Sequence, residues 1–119
     1  MSEIKQDAIL SQRLLDAQVG VLGSMLIDPD TVPEVLSRVR DADFAEEKYR
    51  LVFQAIQARF RAGQAIDPIL VRETRGGGVD SPWTSILQGL MDVTTTAAHV
   101  DDYVDALRAS VTLSNLRTL

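Results

Sequence analysis

Residues 16–29, D-A-Q-V-G-V-L-G-S-M-L-I-D-P, form the stretch that decides the fold. Apolar side chains recur there every three or four residues, which is the spacing of one face of an α-helix. The pattern predicts a helix from about Leu14 to Leu26, which ends where Asp28-Pro29 disfavours helical backbone. Its apolar positions are Leu15, Val19, Leu22 and Leu26.

Two glycines, Gly20 and Gly23, lie inside this predicted helix. Each costs about 1 kcal/mol relative to alanine in a helix interior. One explanation is that the protein tolerates the loss. The explanation we favour is that a second helix packs closely against this face, because a residue without a Cβ lets two backbones approach.

Outward from this segment, helix caps and apolar spacing predict about five more helices. The strongest follows Asp43-Phe44 and ends near Gly63, since glycine commonly terminates a helix. Its apolar stripe comprises Tyr49, Val52, Phe53, Ile56 and Phe60.

The remaining helix starts are marked by caps. Thr31 and Glu34 have the spacing of a capping box, and residues 67–68 and 81–82 each pair a capping side chain with a proline at the first helical position. The last helix runs from about Ala97 to the end of the chain. No stretch alternates like a strand, so the predicted fold class is all-α, a compact bundle of about six helices.

Composition excludes several classes of function. The 119 residues carry 12 Lys and Arg against 17 Asp and Glu, a net charge of −5, which argues against a surface dedicated to binding DNA. There is no cysteine and only one histidine, His99, so neither a thiolate nor a histidine metal site is expected. No apolar run has the length of a membrane span, and the polar N-terminus is unlike a signal peptide. We expect a cytoplasmic domain.

Candidate catalytic features have simpler explanations. Residues 76–78 are three glycines, but no G-K-[ST] follows them as a phosphate-binding loop requires. Asp101, Asp102 and Asp105 are predicted to form a solvated face and to complement the positive end of the last helix. No arrangement of nucleophile and base is evident. We therefore expect no enzymatic activity, no cofactor and no metal.

Trp83, the only tryptophan, lies at the start of an amphipathic helix beside the glycine segment. The sequence leaves two interpretations open. The side chain is either part of the core or an aromatic anchor at a protein interface, where tryptophan is enriched.

Four segments, in order, resemble the N-terminal domain of bacterial replicative DNA helicases of the DnaB family. They are residues 16–29, residues 32–56, residues 63–68 and residues 95–103, and the resemblance covers about residues 14–111. The chain departs from the family by shortening the segment before Trp83 and by carrying His99 where the family often has asparagine. The ATPase domain of the family, with its Walker motifs, is absent from these 119 residues.

The resemblance implies a non-catalytic domain that acts in DNA replication. It implies a globular body at residues 14–93 and, at 94–119, the first arm of a helical hairpin that pairs subunits. Residues 1–13 lack a clean apolar period, so we expect them to form a flexible arm. The implied partners are a second copy of the chain, as a dimer or a hexameric collar, the C-terminal domain of primase in the primosome, and a helicase loader. Direct DNA binding and membrane binding are not expected.

Two sets of site residues follow from the resemblance. A hairpin arm without its second arm would expose an apolar stripe, which we expect to form the dimer interface: Val100, Tyr103, Val104, Leu107 and Val111. The amphipathic helix after residue 81 is expected to contact primase through Trp83, Ile86 and Leu87.

An alternative is a stand-alone regulator, phage-encoded for example, that mimics the helicase collar and binds a host helicase or primase. A third possibility, a helical domain that binds nucleic acid, is disfavoured by the net charge of −5.

Overall fold

The computed structural model describes the backbone of residues 2–118 and the side chains of residues 9–113. This part of the chain contains six α-helices, two short 3-10 turns at Pro29–Thr31 and Asp41–Asp43, and no strand, which confirms the all-α prediction. The helices are α1 (Ser2–Ile27), α2 (Val32–Arg38), α3 (Glu47–Arg61), α4 (Pro68–Arg75), α5 (Pro82–Val93) and α6 (Val100–Thr118).

Helix α1 begins at Ser2 rather than near the predicted Leu14, so residues 2–13 are helical and not an irregular arm. The prediction failed because it relied on apolar periodicity. Residues 2–13 contain mostly good helix formers and neither glycine nor proline, so the helix continues without a wide apolar stripe.

The predicted caps at residues 67 and 81 are confirmed. Asp67 accepts hydrogen bonds from the backbone N–H groups of Ile69 and Leu70, and Ser81 accepts one from that of Trp83. The capping box at Thr31 is wrong. Asp28 instead caps a 3-10 turn that runs directly into α2, and Thr31 is already helical, so its side chain caps nothing.

The core forms where α1 meets the other helices. Gly63, with a φ of 68°, ends α3 as predicted, but Phe60 is 40% exposed. In the core, Phe53 instead packs against Phe44, and their ring centroids lie 4.9 Å apart. The largest fully buried side chains include Phe44, Phe53, Leu22, Met25, Ile56 and Leu107.

The two glycines of α1 are sites of close packing, as predicted. A Cβ at Gly20 would lie 2.6 Å from ring carbons of Tyr103 on α6. A Cβ at Gly23 would lie 2.7 Å from the carbonyl oxygen of Leu90 on α5. Helix α1 therefore approaches both helices more closely than a residue with a side chain would allow.

An ion pair to a buried carboxylate also holds α6 in place. Asp43, whose side chain is 2% exposed, accepts a hydrogen bond of 2.9 Å from Nη1 of Arg108 on α6. The same carboxylate accepts the backbone N–H of Arg40 at 2.9 Å. The second 3-10 turn is thereby tied to the middle of α6.

We expect Gly23→Ala and Gly89→Ala to change stability in opposite directions. At Gly23 the added methyl group meets backbone, so overpacking should cost about 1–3 kcal/mol. At Gly89 on α5 no atom lies within 4 Å of the added Cβ, so higher helix propensity should stabilise the protein by about 0.5–1 kcal/mol. Urea unfolding followed by circular dichroism measures both. A Gly23 variant as stable as the wild type would contradict the close packing.

Removing the buried carboxylate should destabilise the fold. We expect Asp43→Ala to lower the free energy of unfolding by about 1–3 kcal/mol, because Arg108 and the backbone N–H of Arg40 lose their acceptor. Asp92→Ala, which removes an exposed carboxylate on α5, is the matched control and should change stability by less than about 0.5 kcal/mol. Equal effects of the two substitutions would refute the structural role of Asp43.

Candidate interaction surfaces

The expected dimer stripe on α6 is mostly inside the protein. Val100 is 8% exposed, Val104 1% and Leu107 0%, while Tyr103 and Val111 are half-buried against the core. The expectation that this stripe is exposed is therefore wrong. The sequence shows that α6 has an apolar face, but α1 covers this face within the same chain.

The acidic start of α6 is anchored by an arginine. Arg38 on α2 forms an ion pair with Asp105 and lies 3.8 Å from Asp101. The hydrogen bond with Asp105 is the main cause that raises the pKa of Arg38 above its ordinary value. Among the described side chains, no group of three or more acidic or histidine residues is placed to hold a metal ion. These carboxylates thus fasten α2 to α6.

Another carboxylate holds the neighbouring turn against α3. Asp41 accepts a hydrogen bond of 2.9 Å from the side-chain amide of Gln54. This bond is the main cause that lowers the pKa of Asp41 below its ordinary value. Together with Asp43, it fixes the turn between the two long helices α3 and α6.

The structure places Trp83 partly in the core. Its side chain is half-buried and packs against the core, and the guanidinium of Arg75 lies 5.3 Å from the ring centroid. Arg75 is itself half-buried. The indole thus joins α4 to α5 and keeps part of its surface accessible.

The other two residues predicted to contact a partner on α5 differ in accessibility. Leu87 is 3% exposed and belongs to the core, so it offers no contact surface, contrary to the prediction. Ile86 is half-buried and lines a groove. Along a helix, adjacent positions point about 100° apart, so one of the pair faces inward.

That groove, which we call the α5 groove, lies between α1, α3 and α5 and has a volume of about 360 Å³. Gly89 is an exposed residue of its lining. Val93 is 73% exposed, and Lys48 is the only charged lining residue. The Lys48 ammonium lies 5.0 Å from the Tyr49 ring centroid. Sequence reasoning missed Gly89 and Val93, although a glycine inside a predicted helix was a signal it could have used. The lining is Val19, Lys48, Tyr49, Ser85, Ile86, Gly89, Leu90 and Val93.

A second groove, which we call the α1/α6 groove, has a volume of about 330 Å³ and is mostly apolar. One of its large lining side chains, Leu113, is 48% exposed. Sequence reasoning missed this groove because Leu10 and Arg13, which line it, precede the predicted helix start near Leu14. The lining is Leu10, Arg13, Asp16, Ala17, Tyr103, Ala106, Ala109, Ser110 and Leu113.

Within residues 2–118, no helix has the length and apolar character needed to cross a bilayer. The described part of the chain is thus an α-helical domain with several open grooves on its surface.

Comparison with known proteins identifies the family. Residues 11–109 match the DnaB-like helicase N terminal domain, and the chain belongs to this family. The crystal structure of the N-terminal domain of DnaB helicase from Mycobacterium tuberculosis superposes with a TM-score of 0.77 at 28% sequence identity. The match covers 87% of this chain and 78% of that one.

Two full helicases are also similar. The chain is 29% identical over 108 residues to the replicative DNA helicase DnaB of Leifsonia xyli subsp. xyli, which covers 84% of this chain and 22% of that protein. It is 30% identical over 110 residues to that of Mycobacterium leprae, covering 86% and 17% respectively. The chain thus spans about a fifth of the length of these helicases. It matches their N-terminal region, which is non-catalytic on its own.

Because Leu107 is fully buried, we expect Leu107→Asp to unfold the protein or to cost about 4 kcal/mol or more, since it buries an unpaired charge. Leu113→Asp is the control on the same helix, and its exposed position should limit the cost to about 1 kcal/mol. Urea unfolding at low protein concentration distinguishes the two. A folded, stable Leu107→Asp variant would mean that this side chain is accessible after all.

Proposed function

We propose that this chain works in DNA replication as the N-terminal domain of a replicative helicase, where it associates with other copies and receives the C-terminal domain of primase. The family match over residues 11–109 carries the proposal, and the structural likeness to the M. tuberculosis domain supports it. The domain contributes binding surfaces and no chemistry of its own.

The α5 groove is the proposed contact surface for primase. A glycine inside a helix costs about 1 kcal/mol relative to alanine, and Gly20 and Gly23 recover this cost through close packing. Gly89 has no neighbour within 4 Å of a Cβ position, so nothing inside the chain explains it. Close approach of a partner helix would explain it, because the missing side chain lets the partner backbone come near α5 at this position.

The walls of the groove suit the apolar face of a helix. Ile86 and Tyr49 are half-buried, and Val93 is 73% exposed, so the groove offers apolar surface that a partner would remove from water. Lys48 at the rim favours an acidic side chain on the partner. Of the three residues predicted from the sequence, Ile86 makes direct contact in this proposal, Leu87 supports it from the core, and Trp83 lies at the start of the same helix.

The proposed test is calorimetric titration of the chain with the C-terminal domain of the cognate primase. We expect the wild type to bind. Gly89→Leu places a large side chain in the groove lining and should weaken binding about tenfold or more. The same substitution should not destabilise the fold, since the position is open. Ala58→Leu adds the same side chain at an exposed position on α3 and should leave the affinity unchanged.

The outcomes separate the two parts of the proposal. If the wild type does not bind, primase is not the partner of this chain. If it binds and Gly89→Leu binds equally well, primase docks elsewhere on the domain.

A further inference from the structure

The α1/α6 groove lies between two antiparallel helix segments. Gly20 contacts Tyr103, while Leu10 and Leu113 line the same groove further along, so positions that precede Gly20 on α1 lie beside positions that follow Tyr103 on α6. Residues 10–17 of α1 and residues 103–113 of α6 thus form a helix pair with one open, mostly apolar side.

Several of the side chains that line this groove are small. Ala17 lies on the α1 side, and Ala106, Ala109 and Ser110 on the α6 side. Small residues let a third helix approach to the short end of the usual interaxial distances of about 8–10 Å. Leu113, which is 48% exposed, would gain contacts when such a helix is seated.

The lining of the groove contains two charged side chains. They are Arg13 and Asp16, both on α1. Among the described side chains neither takes part in an ion pair, and Asp16 accepts one hydrogen bond of 2.8 Å from Gln12. The two charges are three positions apart, so they lie on the same side of the helix, about 4.5 Å apart along its axis.

A helix surface with opposite charges placed in this way can pair with an identical copy of itself. If a second α1 lies antiparallel across a two-fold axis that passes between positions 13 and 16, Arg13 of each copy faces Asp16 of the other. A two-fold interface requires this reciprocity, because residue i contacts residue j and j contacts i.

We propose that the occupant of the α1/α6 groove is a second copy of this chain, arranged about a two-fold axis with two reciprocal Arg13–Asp16 ion pairs at the rim. This inference rests on the self-association in the proposed function and deepens it by assigning the surface. The interface then lies on the open side of the α1–α6 pair and does not use the buried stripe of Val100, Val104 and Leu107.

Charge-reversal variants test the geometry by sedimentation equilibrium of the full chain at low salt. Arg13→Glu and Asp16→Arg each place like charges opposite one another twice, and each should raise the dimer dissociation constant about tenfold or more. The double variant R13E/D16R exchanges the signs and should restore dimerisation. Arg61→Glu, an exposed reversal at the end of α3, is the control and should behave as the wild type. Circular dichroism verifies that each variant is folded.

An equimolar mixture of the two single variants gives the sharpest result. In the mixed dimer, the glutamate introduced in one copy faces the arginine introduced in the other, and the native Asp16 of the first copy faces the native Arg13 of the second. Two variants that fail to self-associate should therefore dimerise with each other.

The remaining outcomes distinguish a failure of this surface assignment from a failure of the proposed function. A wild-type dimer whose single variants associate equally well would overturn this surface and leave self-association standing. A wild type that is monomeric at all concentrations would overturn both, while primase binding by that monomer would preserve the other part of the proposed function.

Discussion

The close packing of α1 against α5 and α6 is the constraint on which the rest of the structure depends. Gly20 receives the ring of Tyr103, and Gly23 lies against the backbone of Leu90. These contacts bring two helices within reach of a single central one, and the apolar faces of all three are covered together. The helix propensity lost at the two glycines is offset by this packing, because a closer approach increases the number of dispersion contacts.

Polar contacts then fix where α6 lies. The carboxylate of Asp43 holds Arg108 from one side, and Arg38 on α2 holds Asp105 near the start of the same helix. The pair formed by Asp43 is the more consequential of the two, because its carboxylate is buried and exposed ion pairs contribute little. Because α6 is held at both points, the α6 side chains that line the α1/α6 groove have defined positions. A binding surface requires such defined positions.

The α5 groove and the α1/α6 groove lie on different sides of α1, so they form two separate surfaces. One groove is lined by α3 and α5 and carries Lys48, and the other is lined by α6 and carries Arg13 and Asp16. Their different charges favour different occupants, an acidic partner helix in the first and a second copy in the second. A copy seated at α6 would leave the α5 groove open, so both contacts could form at once.

The sequence by itself determined the all-α class, the starts of α4 and α5, and the close-packing role of Gly20 and Gly23, because caps, prolines and glycines act through local backbone geometry. It also predicted the family through four ordered segments. Only the tertiary structure decided which apolar residues are accessible. An amphipathic pattern shows that a face of α6 is covered but not what covers it, and here α1 buries Val104 and Leu107 within the chain. The grooves likewise depend on which helices become neighbours, which is set by packing between segments distant in sequence.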